Sequence, residues 1–245
     1  MSQRSVFIVS AGIDVGSALA RGLAASGASV ALLSDSETLM VDGDAAAAGV
    51  EHLACDASSR ESLEQAFAAA VERVGPPSQV VVSVLPLLAL QPVAIHEMTA
   101  AQWQAACGGA MKAMLHVLQA AFTHMGERGG SVVALGPALS LAGAPQLAAL
   151  SAAVEGQRGL VKSAARQWGR RGLTVNWVAA APRALSPLFE SLPLPVKPDA
   201  VMVALGCGPA LDEGLAGVID FLGSPAGRAL TGTTLVADGG EWMVP

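Results

Sequence analysis

The chain has no tyrosine and little charge: 14% of its 245 residues are charged, against 52% hydrophobic. The mean hydropathy of +0.51 is high for a soluble protein. A membrane span, however, needs about 20 continuous apolar residues. The longest apolar run, Val80 to Ile95, is broken by Ser83, Pro86, Gln91 and Pro92. The N-terminus, MSQRSVFIVS, lacks the basic, apolar, then small-residue pattern of a secretory signal. Only three cysteines occur, Cys55, Cys107 and Cys207, far apart and without a CxxC pair. That excludes a disulfide framework and points to a reducing cytoplasm. The four histidines lack metal-ligand spacing. With a net charge of −6, the densest basic cluster runs from Arg166 to Arg171. It falls at the expected end of a helix, where the macrodipole favours cations, so a nucleic-acid surface is not indicated.

What the sequence has in quantity is apolar strand. SVFIVSA (5–11), ASVALLS (28–34), GVEHLAC (49–55), QVVVSVL (79–85), GSVVALG (130–136), LTVNWVA (173–179) and TTLVADGG (233–240) alternate with helical patterns. Helices are expected at about 16–26, 60–74, 100–125, 148–171 and 213–222. Near-continuous Val, Ile and Leu strands linked by helices imply a parallel sheet covered on both faces. Right-handed crossovers then give an α/β, Rossmann-like, doubly wound sheet of about seven strands. No internal repeat or linker divides the chain, so residues 1–245 read as a single domain. The proline-rich stretch 182–209 lacks periodicity and suits an irregular lid or substrate loop.

The order and spacing of these elements resemble the short-chain dehydrogenase/reductase family over nearly the whole chain. The helix and strand LVKSAARQWGRRGLTVNWVA, with its Val175-Asn176 pair, is similar to one family segment. Another is the C-terminal stretch with Phe221, Leu222 and Ser224, Thr231-Gly232, and Asp238-Gly239-Gly240. Asp56 in CDAS resembles the family's adenine-contacting aspartate. The resemblance implies an NAD- or NADP-dependent oxidoreductase fold.

The family binds its dinucleotide on a glycine-rich turn, which must turn tightly and approach the pyrophosphate closely. The turn here reads SAGIDVGSALARGLAASGASV. Counted back from Gly27, Gly16 fits the last glycine and Asp14 falls on the middle one. Counted forward, Ala11 falls on the first, and the loop is one residue short. A second register keeps Gly12 and Gly16 but spoils the spacing to Gly27. A carboxylate about 4 Å from a phosphate costs roughly 4 kcal/mol at an effective dielectric of 20. Alternatively, Asp14 points to solvent or caps the following helix. The acid expected to hold a ribose hydroxyl is displaced by one, to Asp35 after Ser34. The resemblance thus leaves Gly12, Gly16, Asp35 and Asp56 as vestigial cofactor-binding candidates, and no cofactor is expected in this chain itself.

The family's chemistry uses a tyrosine acid/base, a lysine that lowers its pKa, a serine holding the substrate oxygen and an asparagine organising a relay water. Carried over by position, these are Leu150, Val154, Pro137 and Ala110. All four are apolar, so no catalytic residue is assigned. Ser140 and Ser151 lie near in sequence but have no tyrosine–lysine partner. Lys162 is two turns beyond Val154, about 12 Å along a helix axis, and Glu155 points about 100° away from Val154. Each group in general acid/base catalysis contributes typically 10²–10⁴-fold, so losing the set leaves no useful turnover.

Three functions follow. The first is a non-catalytic subunit of a hetero-oligomeric oxidoreductase, expected as a tetramer with an active paralogue that carries NAD or NADP. Heteromeric members of the family act on acyl-CoA-type hydroxy substrates. The second is a dinucleotide or small-molecule binding or sensor protein. The third is an enzyme with a non-standard acid, from Glu155, His96 or the 182–209 loop.

Overall fold

A computed structural model describes residues 4–35, 49–193 and 203–243. Seven parallel strands form one sheet in the order β3-β2-β1-β4-β5-β6-β7. They are β1 (Ser5–Gly12), β2 (Ser29–Ser34), β3 (Glu51–Ala54), β4 (Gln79–Leu85), β5 (Gly130–Pro137), β6 (Leu173–Ala180) and β7 (Thr234–Ala237). Each lies within or beside the stretch expected from its apolar run. Val6, Phe7, Ile8 and Val9 of β1 are all buried, as are all of β4 and β6. Continuous apolar sequence is what a strand covered on both faces requires.

The long helices are α1 (Gly16–Ala25), α2 (Arg60–Val74), α4 (Gly109–Met125), α5 (Ala148–Trp168) and α7 (Ala216–Gly223). Short helices α3 (Ala100–Trp103) and α6 (Pro182–Leu185) precede α4 and follow β6. Local chemistry sets several ends. The Ser59 hydroxyl accepts from the Ser62 N–H at 3.2 Å and starts α2. Thr99 and Gln102 form a capping box that starts α3. The basic end of α5 winds into a 3-10 turn, Gly169–Arg171, and stops at left-handed Gly172 (φ 73°).

Two helices depart from the expected continuous form. The stretch expected as one helix over 100–125 is α3, a π turn at Gln104–Gly108, then α4. A π turn at Leu211–Leu215 likewise precedes α7. Hydrophobic periodicity does not register one inserted residue, so the sequence pattern passes over both.

Close packing explains two glycines. A Cβ on Gly16 would lie 2.6 Å from Leu32 Cδ1 and 2.7 Å from Ser10 Cβ, so α1 sits directly on β1 and β2. A Cβ on Gly136 would lie 2.5 Å from the Trp177 ring, so this fully buried indole covers β5 there.

The first part of the expected lid packs inward. Residues 182–191 form α6 and a 3-10 turn, and bury Leu185 and Phe189. Residues 194–202 of that stretch lie outside the described residues. Among the described residues, no helix is long and apolar enough to cross a membrane.

Candidate functional site

In an open parallel sheet, ligands bind beyond the carboxyl ends of the strands, where the strand order reverses. Here that place is between β1 and β4. The turn after β1 carries the expected cofactor glycines, and three of its N–H groups are paired internally. The Ile13 N–H donates to Leu85 O at the end of β4 (2.9 Å), and the Val15 N–H donates to Ile13 O (3.1 Å). The Ser17 N–H and hydroxyl donate to the two Asp14 carboxylate oxygens at 3.2 and 2.9 Å. The capping alternative for Asp14 is the arrangement present.

Gly12 is left-handed at φ 88°, and a Cβ on it would overlap Leu85 O. Its freedom serves contact between β1 and β4. Gly16 keeps the close helix–strand packing of a dinucleotide fold. Ile13 and Val15 are buried. A pyrophosphate needs free N–H donors and an uncharged approach at the N-terminus of α1. Here the Asp14 carboxylate takes the Ser17 N–H and holds a negative charge at that position. The residues present do not fit the dinucleotide of the fold family.

The two remaining candidates lie after β2 and after β3. Asp56 is exposed, and its Oδ1 accepts from the Ser58 N–H at 2.8 Å within its own loop. Asp35 directly follows β2.

The second half of the site lies between β4 and β5. Their pairing ends at Val82–Ala134, although the strands run on to Leu85 and Pro137. Past that point they splay, and α5 closes over the end of β4. Gln157, buried on α5, donates from Nε2 to Val84 O at 3.0 Å. Val154 and Leu150 precede Gln157 on the same helix at spacings of three and seven, and so share that inward stripe. Both are fully buried, as is Ala110 in the first turn of α4, and Pro137 is buried at the end of β5. Gln157 was not singled out from the sequence. A polar residue within an otherwise small and apolar helix stripe was its one visible signal.

Of the polar groups considered as substitutes, the charged side chains lie on the surface. Glu155 is exposed and pairs with Arg158 at 2.6 Å. His96 is exposed beside Glu97. Lys162 is exposed and lines a surface groove with Arg166 and Arg170, beyond the quartet. The hydroxyls of Ser140 and Ser151 are buried with no hydrogen-bond partner. Asn176, of the Val-Asn pair, is structural: its Nδ2 donates to Leu230 O (2.8 Å) and its Oδ1 accepts from the Thr233 N–H (3.3 Å). Among the described residues, no group of three or more His, Cys, Asp or Glu is placed to hold a metal.

A family model described as enoyl-(acyl carrier protein) reductase matches residues 11–241. A 143-residue stretch is 29% identical to the 3-oxoacyl-(acyl-carrier-protein) reductase FabG of Staphylococcus aureus. That match spans 58% of this chain and 58% of the relative. A short-chain dehydrogenase/reductase of Armillaria gallica is 27% identical over 97% of this chain and 95% of its own length. Among solved structures, a dehydrogenase/reductase from Sinorhizobium meliloti superposes with a TM-score of 0.79 at 25% identity, covering 98% of this chain and 96% of that one. A blue fluorescent protein from a metagenomic library, crystallised with NADPH, shares the fold with a TM-score of 0.76 at 24% identity, covering 98% of each chain.

Proposed function

The chain belongs to the short-chain dehydrogenase/reductase family of NAD(P)-dependent oxidoreductases, and within it we propose the role of a non-catalytic subunit. The observation that carries this reading is the quartet Ala110, Pro137, Leu150 and Val154. Each is apolar and buried where the family's resemblance places a proton-handling group. From these four positions a carbonyl would receive no proton and no hydrogen bond to its developing oxyanion. The Asp14 carboxylate at the β1–α1 turn supports the same reading, since it sets a negative charge where the phosphates of a dinucleotide would approach.

Filling the unused pocket with apolar side chains stabilises the fold. A lone tyrosine or lysine there would leave unpaired buried polarity, at a cost of about 1–3 kcal/mol or more. In this role the chain acts by association. An active paralogue supplies acid, base and NAD or NADP, and this chain supplies surface and stability. A tetramer with such a paralogue, acting in the cytoplasm on an acyl-CoA-type hydroxy substrate, is the assembly we favour.

The test is native mass measurement of the chain purified with its natural co-expressed proteins, together with activity of the pure chain. The proposal expects a complex with a second family member. The pure chain should stay below about 1 s⁻¹, the low end of ordinary turnover, on an alcohol and ketone panel. A purified homotetramer with ordinary turnover would overturn it.

A further inference from the structure

We propose that the pocket at the amino-terminal edge of the sheet, between β5, β6 and the end of α7, binds a phosphate group, free or as a small monoester. It is lined by Ser131 near the start of β5, whereas Pro137 of the quartet ends that strand. The path from Ser131 to Pro137 along the strand spans roughly 20 Å. The pocket is therefore separate from the dinucleotide end of the fold.

The strands place a polar row at this edge. Gln79, Ser131 and Thr174 are register partners on β4, β5 and β6, so their side chains emerge on one face of the sheet. That face is the one α7 covers, because Gln79 Nε2 donates to Ile219 O at 2.7 Å. Two residues further on, buried Val81 and Val133 return the same face to apolar core. Ser131 and Thr174 are only 3% and 8% exposed, yet neither hydroxyl has a hydrogen-bond partner among the described residues. A buried hydroxyl without a partner is destabilising, and in folded proteins it marks a place for a ligand or water.

Both residues line a pocket of about 220 Å³ together with Leu222, Gly223, Arg128 and Arg228. At roughly 30 Å³ for each water-sized group it has room for about seven, enough for a phosphorus atom, its four oxygens and a little more. Among the described residues, no Asp or Glu lines it. Arg128 and Arg228 are exposed, and neither guanidinium pairs with a described carboxylate. Helices α4 and α7 end beside the pocket, at Met125 and Gly223. Each carbonyl end is equivalent to roughly half a negative charge, so the two guanidiniums leave an excess of about one positive charge. Guanidinium forks bind phosphate oxygens in pairs, and the two hydroxyls supply further donors. A carboxylate has only two oxygens to share among these four groups, whereas a tetrahedral oxyanion can meet them all.

The experiment is calorimetric titration of the full chain with inorganic phosphate, at constant ionic strength held with chloride. Saturable binding with a Kd of about 1 mM or tighter is expected. Glycerol 3-phosphate separates the two sources: tighter binding than phosphate assigns the site to a monoester, weaker binding to the free anion. Arg228→Gln, a change at an exposed side chain, should weaken binding at least about tenfold. Ser131→Ala combined with Thr174→Val removes both unpaired hydroxyls. Without phosphate this variant should melt at or above the parent's temperature, since no bond is lost. With phosphate it should bind at least about tenfold more weakly. Arg166→Gln, in the separate basic groove, should leave binding unchanged. No saturable heat up to about 10 mM phosphate would overturn the proposal, as would an affinity that survives Arg228→Gln or the double variant. A lower melting temperature of the double variant in phosphate-free buffer would also overturn it, by showing that the hydroxyls are already paired.

Discussion

The carboxylate of Asp14 accepts both the backbone N–H and the hydroxyl of Ser17, at 3.2 and 2.9 Å. The first turn of α1 is therefore neutralised by the chain's own anion. Removing it with Asp14→Ala should cost about 1 kcal/mol, the usual value of a lost helix cap, read as a lower urea midpoint. The unaltered chain should show no micromolar affinity for NAD(H) or NADP(H) by calorimetry. If charge is the principal obstacle, Asp14→Ala tightens NADPH binding by about tenfold or more. If affinity does not change, the obstacle is the closed turn, in which Ile13 donates to Leu85 O.

Leu150 and Val154 are fully buried on α5, on the same inward stripe as Gln157. Val154→Lys places an ammonium there without a counter-charge and should cost more than about 3 kcal/mol. Leu150→Tyr should cost roughly 1–3 kcal/mol. Restoring all four polar residues together should yield no dehydrogenase turnover. Urea denaturation and steady-state assays measure the two effects. A Val154→Lys protein as stable as its parent would mean that this region is open to water.

The fold was legible because continuous apolar strands and their helices leave a periodic trace, and the helix expected over about 60–74 is the observed Arg60–Val74. The quartet was legible by position, since a missing hydroxyl or ammonium is visible in the letters themselves. The role of Asp14 was not. A carboxylate one turn before Ser17 can repel a ligand or cap a helix, and only geometry separates the two. Gln157 and Gln146 were also silent. The value of the first depends on Val84 across the sheet, and that of the second on a left-handed backbone which its residue type does not announce.

The three cysteines should differ sharply in reactivity. Burial pushes the Cys55 thiol up to about 12, against a smaller opposing hydrogen bond from Ser62, and burial also raises Cys107. Cys207 is exposed. The thiolate is the reactive form, so iodoacetamide at pH 8 should label Cys207 in the native chain and spare the other two. Peptide mass spectrometry reads the result, and labelling of Cys55 without unfolding would contradict the burial shown.

His124 gives the fold an acid limit. Burial beside Phe67 lowers its pKa below the usual 6.5, although Glu64 opposes the shift. The folded chain thus prefers the neutral ring, while the unfolded chain protonates near 6.5. This contribution is present above pH 6.5 and is lost as pH falls through the lowered folded value. Thermal unfolding should show a drop in Tm between pH 7 and 5, and His124→Gln should make that drop smaller. An unchanged drop would assign the acid sensitivity to other groups.

Assembly is best tested on the outer face of α5. An arginine at Ala164 would disrupt the fold itself, since Ala164 is buried within the chain, and Ala152 already packs partly against the core. Gly159 is the cleaner probe. It is exposed, and a Cβ there would meet nothing within 4 Å. On the neighbouring helix Leu115 is 42% exposed, and Met111 packs against Gly156, so this side of α4 and α5 offers small and apolar contacts to another subunit. On α5 that face also carries exposed Glu155, Lys162 and Arg166, so the apolar part of the contact comes from α4, while Gly159 allows close approach. Gly159→Arg should leave the folded chain nearly as stable, costing no more than about 0.5 kcal/mol as an exposed substitution. It should nonetheless split the complex and lower the activity of the catalytic partner. Mass photometry and partner assays on the co-purified proteins read both effects. A complex that keeps its mass and rate with Gly159→Arg would place the contact on another face.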